Sequence, residues 1–108
     1  MERVNLSSSS SISRIIYGMW RLADDINTSS KHISDKVNLC LGQGITSFDQ
    51  AAVYGLYTAE ALFGDVLKAN PALRHKIEIV SKCGIVNPSN RYANASVSHY
   101  DTSREHIF

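Results

Sequence analysis

The sequence predicts an α/β protein built on a parallel sheet. Three short, β-prone apolar runs, marked by Ile15, Ile45 and Ile77, recur 30 and 32 residues apart. Helical stripes fill the two gaps between them. One strand and one helix per period is the βα unit, and strands alternating with helices form parallel sheets with right-handed crossovers. A doubly wound nucleotide-binding half carries a glycine fingerprint after its first strand. Here that turn reads Gly18-Met19-Trp20-Arg21-Leu22, with neither G-x-G-x-x-G nor a P-loop. The expected architecture is therefore the N-terminal three βα units of a (β/α)8 TIM barrel. A whole barrel takes about 250 residues, so a chain of 108 residues holds under half of one. The chain is expected to be truncated, with residues 1–11 a serine-rich lead-in and residues 12–108 an incomplete barrel domain.

Each element has its own signal. Ser7 to Ser11 form a serine run that reads as polar and weakly structured. Ile12 to Trp20 reads as a first strand, with Ile15, Ile16 and Tyr17 as β-formers and Gly18 as its end. A continuous apolar run suits a strand covered on both faces. After the polar connection Asp24 to Ser30, Ile33, Val37, Cys40 and Leu41 fall on one helical stripe, and Gly42 and Gly44 supply the stop. Ile45 to Phe48 is a second strand, ending at Asp49. A second helix begins near Thr58, with Ala59, Leu62, Phe63, Val66 and Leu67 on its apolar stripe. Asn70-Pro71 ends it, because the residue before proline disfavours helix. Ile77 to Lys82 is the third strand, and Gly84 to Tyr100 a long loop of the kind that is more often functional than accidental. Thr102-Ser103-Arg104-Glu105 has capping-box spacing and predicts a third helix.

Composition removes several classes of function. Lys and Arg total 11 against 10 acidic residues, apolar residues make up 44% and charged residues 19%. This is globular, without the basic footprint that nucleic acid or an anionic membrane requires. No apolar run approaches the roughly 20 residues of a membrane span, and no signal-peptide core follows Met1. Cys40 and Cys83 are too few for a disulfide scaffold and lack metal-ligand spacing. No metal is expected, and a cytoplasmic setting is.

The chemistry concentrates at strand ends. Trp20, Asp49 and Lys82 each lie at the C-terminal end of an expected strand, and Tyr54 lies on the loop after the second. In a barrel, catalytic groups come from these C-terminal ends. Neighbouring strands are about 4.8 Å apart, so Asp49 and Lys82 are placed to pair, with Tyr54 reaching the ammonium from above. A free phenol titrates near pH 10, a neighbouring cation favours its phenolate, and the result is an acid able to protonate a developing alkoxide. Taken singly, each residue has a plainer reading: Asp49 as a cap or loop acid, Tyr54 as a packed aromatic, Lys82 as a solvated strand end. Their shared phase on consecutive units joins them. Trp20 reads as a rim aromatic or as a wall for a flat ring. Cys83, with no histidine base near it, reads as a buried, inert thiol. His99 and His106 lack acidic or thiol companions, and His32 and His75 read as surface positions.

Asp49-Gln50-Ala51-Ala52-Val53-Tyr54-Gly55, followed by Glu60 and Phe63-Gly64, resembles the signature of the aldo-keto reductases. Ile79-Val80-Ser81-Lys82-Cys83 resembles their lysine strand, and Gly18-Met19-Trp20 their first-strand turn. The Ser-Lys-Cys-Gly run and His99-Tyr100-Asp101 look most like a bacterial-type branch of monomeric oxidoreductases. The resemblance implies NADPH-dependent reduction of a small carbonyl substrate. By it, Tyr54 is the proton donor, Lys82 lowers the phenol's pKa and Asp49 pairs with Lys82. Gly18, Met19, Trp20 and Asp49 would line the nicotinamide end of the cofactor site. Gln50 departs from the pattern, standing where a small hydroxyl residue is common. The family's active-site histidine, on its fourth strand, has no counterpart here, nor do the later loops that hold the cofactor's phosphate and adenosine. The alternative is a non-enzymatic binding or regulatory subunit on the same barrel, as potassium-channel β subunits resemble reductases. The intact trio favours the enzyme, although the 108-residue chain by itself is expected to be poorly folded and inactive.

Overall fold

A computed structural model describes residues 1–108. Strands β1 (Arg3–Asn5) and β2 (Ser11–Ser13) form an antiparallel hairpin, Arg3 opposite Ser13. Next come β3 (Ile16–Gly18), α1 (Ser30–Gly42), β4 (Ser47–Asp49), α2 (Ala59–Ala69) and β5 (Glu78–Val80). β3, β4 and β5 lie in that order in one wholly parallel sheet. β6 (Ile85–Val86) and β7 (His99–Tyr100) pair antiparallel, and α3 (Arg104–Ile107) closes the order.

Alternation decides which side chains face the helices. The register sets Tyr17, Phe48 and Ile79 side by side, and likewise Gly18, Asp49 and Val80. Successive side chains in a strand point to opposite faces, so Phe48 goes under the sheet while Ser47 and Asp49 go over it. Beneath, Phe48 is fully buried and packs on Phe63 of α2, ring centroids 5.6 Å apart, and on Tyr17 at 6.0 Å. The stripes of both helices meet there: Ile33, Val37 and Cys40 from α1, Phe63 and Val66 from α2. Ser29 caps α1 by accepting from the His32 amide at 3.2 Å. Beyond its end Gly44 takes φ +77°, where a Cβ would lie 2.7 Å from that of Met1.

Several expectations need correction. The serine run is not a loose lead-in, because Ser7 to Ser10 lie in the turn of the β1–β2 hairpin and Ser11 opens β2. The expected single strand from Ile12 to Trp20 is split in two. Ser13 Oγ donates to the Ile15 carbonyl at 2.7 Å, a local side-chain bond of the kind that competes with extended pairing. Ile16 is 39% exposed whereas Ser47, on the same side, is fully buried, so within the chain the face opposite the helices is covered only at its N-terminal end, by the hairpin, and is otherwise open. The Gly84–Tyr100 excursion is drawn closed at its base by β6 and β7. The α3 cap is Ser103, which accepts from His106 N at 3.3 Å, and not Thr102. A 3₁₀ turn over Pro71–Lys76 that periodicity did not indicate joins α2 to β5. No helix is long and apolar enough to cross a membrane.

The hairpin is fastened to the N-terminal end of the sheet by polar groups. Ser13 Oγ accepts from the Thr46 and Ser47 amides at 3.2 and 3.1 Å, and Ser47 Oγ accepts from Ser13 N at 2.9 Å. Glu78 Oε2 accepts from Thr46 Oγ1 at 2.6 Å and Ser47 Oγ at 3.0 Å, and Arg3 forms an ion pair with its other oxygen. Burial opposes the Glu78 charge, but the bonds from Thr46, Arg3 and Ser47 outweigh it and hold the carboxyl below its usual range.

In the full-length protein, Phe48→Ala is expected to destabilise the fold by about 3–5 kcal/mol, the range for truncating a buried phenylalanine, in urea denaturation. A loss below about 1 kcal/mol would mean that Phe48 is not the keystone of the core.

Candidate active site

The sheet's parallel pairing runs on past the strand ends. Met19 N donates to the Asp49 carbonyl at 2.9 Å, Gln50 N to the Val80 carbonyl at 2.7 Å, and Ala52 N to the Lys82 carbonyl at 2.9 Å. These bonds hold the backbone of residues 50–52 alongside residues 80–82. Lys82 Nζ thereby reaches Asp49 Oδ1 at 2.6 Å and the Gln50 carbonyl at 2.8 Å.

Tyr54 arrives on the loop between β4 and α2. Its hydroxyl donates to Asp49 Oδ2 at 3.3 Å, and Lys82 Nζ lies 5.3 Å from its ring centroid. The three groups expected to meet do meet, with Asp49 as the junction. The detail differs from the expectation: the phenol is turned to the carboxylate, and the ammonium lies against the ring, within cation–π range. The Asp49 carboxylate holds the Lys82 ammonium above the usual lysine range, with the adjacent Tyr54 phenol adding to this against partial desolvation. Gly55, at φ +62°, is forced to be glycine: a Cβ there would stand 2.5 Å from that of Ala23 and 2.6 Å from Thr58 Oγ1.

The turn after β3 divides. Gly18 is the register partner of Asp49, and a Cβ built on it meets nothing within 4 Å. Trp20 is 68% exposed. Met19, in contrast, is fully buried, so it has only backbone to offer a ligand on the open face. Cys83 is exposed, not buried as expected, while Cys40 is the buried thiol. Cys83 lines a shallow cleft of about 280 Å³ with Ala52, Glu60, Ser81 and Lys82. His106 does have an acidic companion, Asp101 Oδ2 at 4.0 Å, and His32 is half-buried with Nε2 3.3 Å from Asp25.

Sequence reasoning missed two supports of the trio. Gln50 is buried: its Nε2 donates to Met19 Sδ at 3.0 Å and to the Ala59 carbonyl at 3.4 Å, while Oε1 accepts nothing. Strand alternation was the available signal, since the residue after an upward Asp49 must point down. Ser81 Oγ donates to Glu60 Oε2 at 3.1 Å, tying the first turn of α2 beside Lys82. No local pattern marks that pair.

Comparison with known proteins gives the chain's family and its likeness in fold. Residues 14–107 match the sequence family described as the aldo/keto reductase family. The chain is 57% identical over 107 residues to the 6-dehydroglucose reductase of Agrobacterium fabrum, covering 99% of this chain and 36% of that protein. It is 44% identical over 95 residues to oxidoreductase YdhF of Escherichia coli, covering 88% of this chain and 31% of the relative. The chain thus spans about a third of the length of these curated relatives. Among solved structures, it resembles aldo-keto reductase AKR11C1 of Bacillus halodurans in its holo form. The TM-score is 0.72 at 22% identity, over 99% of this chain and 33% of that one. It also resembles PA4992 of Pseudomonas aeruginosa, at TM-score 0.74 and 23% identity, over 96% and 37%. At such identities these two likenesses concern the fold.

The raised Lys82 pKa gives a signed test. The Asp49–Lys82 pair is intact below 10.5, the ordinary lysine value, and is lost as pH climbs through the higher folded-state value. In Asp49→Asn, the Lys82 amine, followed by NMR, is expected to titrate at lower pH than in the wild type. An unchanged midpoint would show that the carboxylate does not set it.

Proposed function

The chain belongs to the aldo/keto reductase family, and on that premise we propose that the protein carrying it is an NADPH-dependent oxidoreductase. It reduces aldehydes or ketones to alcohols, with Tyr54 as proton donor and Asp49 and Lys82 as its catalytic partners. The observation that carries this reading is the junction at Asp49, one oxygen on the Lys82 ammonium and the other on the Tyr54 hydroxyl. The likeness in fold supports taking β3–α1, β4–α2 and β5 with residues 81–108 as the first three βα units of a (β/α)8 barrel. In that setting Asp49 and Lys82 lie at the mouth where barrel enzymes keep their chemistry. The protein acts as a cytoplasmic monomer on a small carbonyl compound. One relative is named a 6-dehydroglucose reductase, so 6-dehydroglucose is the first carbonyl to assay.

The residues fit the nicotinamide end of the cofactor. Gly18 leaves open space beside Asp49, and the exposed Trp20 indole offers a flat wall. Gly18, Trp20 and Asp49 would hold that end, and Met19 contributes main chain alone. NADPH, when bound, supplies the hydride that adds to the carbonyl carbon. Tyr54 Oη gives its proton to the carbonyl oxygen, so that carbonyl, hydride and proton together make the alcohol. The phenolate left behind is stabilised by the Lys82 ammonium, which Asp49 keeps charged and in place.

Tyr54→Phe in the full-length protein is expected to lower kcat by about 10²–10⁴-fold, the usual share of a general acid, with NADPH affinity within about twofold. Unchanged turnover would remove Tyr54 as the donor. The 108-residue chain alone, with one sheet face mostly open, is proposed to be inactive. Fluorescence titration should find no saturable NADPH binding to it, and tight binding would refute that.

A further inference from the structure

The loop that carries Tyr54 contains backbone that side chains rarely adopt. Gly55, Leu56 and Tyr57 follow one another at φ 62°, 48° and 71°. Glycine takes this region freely. For leucine and tyrosine it is costly, and it persists only where the surroundings over-determine it. Leu56 supplies no such constraint, being 60% exposed. Tyr57 does.

The Tyr57 hydroxyl donates to the Ile85 carbonyl at 2.9 Å and accepts from Asn87 N at 2.7 Å. Its ring meets Tyr92 edge-on at 5.0 Å between centroids, and the Arg91 guanidinium carbon lies 5.8 Å from its centroid. These partners all lie on the β6–β7 excursion. Ile85 follows Lys82 by three residues, and Tyr57 follows Tyr54 by three. One side chain therefore fastens the loop bearing the phenol to the segment leaving the ammonium. The strained turn is hooked directly to Tyr54, whose carbonyl accepts from the amides of Thr58 at 3.2 Å and Ala59 at 3.1 Å. A shift of the turn pulls on Tyr54 itself.

We propose that Tyr57 is a positioning residue for the carbonyl reduction: its clamp on Ile85, Asn87 and Tyr92 holds the left-handed turn at Leu56 and Tyr57, and so keeps the Tyr54 phenol at Asp49 and Lys82. This rests on the reductase reading above. Tyr57 acts through Tyr54 and takes no part in the proton transfer.

The test compares Tyr57→Ala with Tyr57→Gly in the full-length protein. Both remove the clamp, but only glycine is at ease at positive φ. Tyr57→Ala is expected to lower kcat about tenfold or more, a loss equal to about 1.4 kcal/mol in the barrier, with NADPH affinity within about twofold. Tyr57→Gly should recover several-fold of that loss, whereas a residue that merely packs would do no better as glycine. Tyr57→Ala within twofold of wild type, or Tyr57→Gly no more active than Tyr57→Ala, overturns the proposal. Hydrogen exchange decides the clamp independently of turnover. In Tyr57→Ala the Thr58 and Ala59 amides should exchange faster while Phe63 to Leu67 stay protected, and unchanged exchange at Thr58 and Ala59 overturns it. A wild-type protein that reduces no carbonyl would defeat the reductase reading and leave the exchange result to stand by itself.

Discussion

Everything in this chain hangs on the alternation of one three-residue strand. Ser47, Phe48 and Asp49 occupy the centre of the parallel sheet, and the period of two gives each a separate duty. Phe48 drops into the core between the two helices. Ser47 and Asp49 are left on the opposite face, at the two ends of the strand. A slip of one residue would put Asp49 under the sheet and Phe48 over it. The buried aromatic contact is therefore also what aims the carboxylate.

The face above Phe48 carries two carboxylates, and they are held differently. Glu78 has acceptor bonds from Thr46 and Ser47 and an ion pair with Arg3, all from groups fixed by the hairpin and strands. Asp49 has one short bond to Lys82 and one long bond, 3.3 Å, to the Tyr54 hydroxyl. A hydroxyl bond beyond about 3 Å is weak, so on the proposed reading Tyr54 exchanges it for a substrate oxygen at small cost. Stability kept at the N-terminal end and chemistry at the C-terminal end is the division barrel folds use. On the proposed reading the same division appears within a single strand.

What the sequence made legible was local. Helical stripes at Ile33–Val37–Cys40 and Phe63–Val66 identify both helices, and the 30- and 32-residue spacing orders the strands around them. The site trio came with them, because strand phase fixes position and strand spacing fixes reach. What stayed hidden depends on pairing between distant segments. The β1–β2 hairpin turns on four serines, Ser7 to Ser10, that carry no periodicity, and its anchor is Arg3 on Glu78, far apart in the chain. β6 and β7 are two residues each, too short for any alternation to show. Cys83 reads as inert for want of a nearby histidine base, a signal that carries no information about burial, and it lies exposed past the end of β5. Tyr57 looks like any loop tyrosine until Ile85 and Asn87 are seen beside it.

Parallel sheets are ordinarily covered on both faces, and the composition of the mostly open face here bears on how that is done. Ile16 and Val80 are its apolar members, and Glu78 and Asp49 its charges. Covering an unpaired charge is strongly unfavourable, whereas a charge already paired and hydrogen-bonded loses much less on desolvation. Both charges on this face are paired within the segment, Glu78 by Arg3 and Asp49 by Lys82. The face is thus prepared for a neighbour that brings no compensating charge. In a barrel interior, where inward side chains stack in layers, this lets an ionic site sit beside aliphatic packing. The Asp49–Lys82 pair then has a structural role beside the chemical one proposed for it: it makes the acid at the end of β4 tolerable to bury.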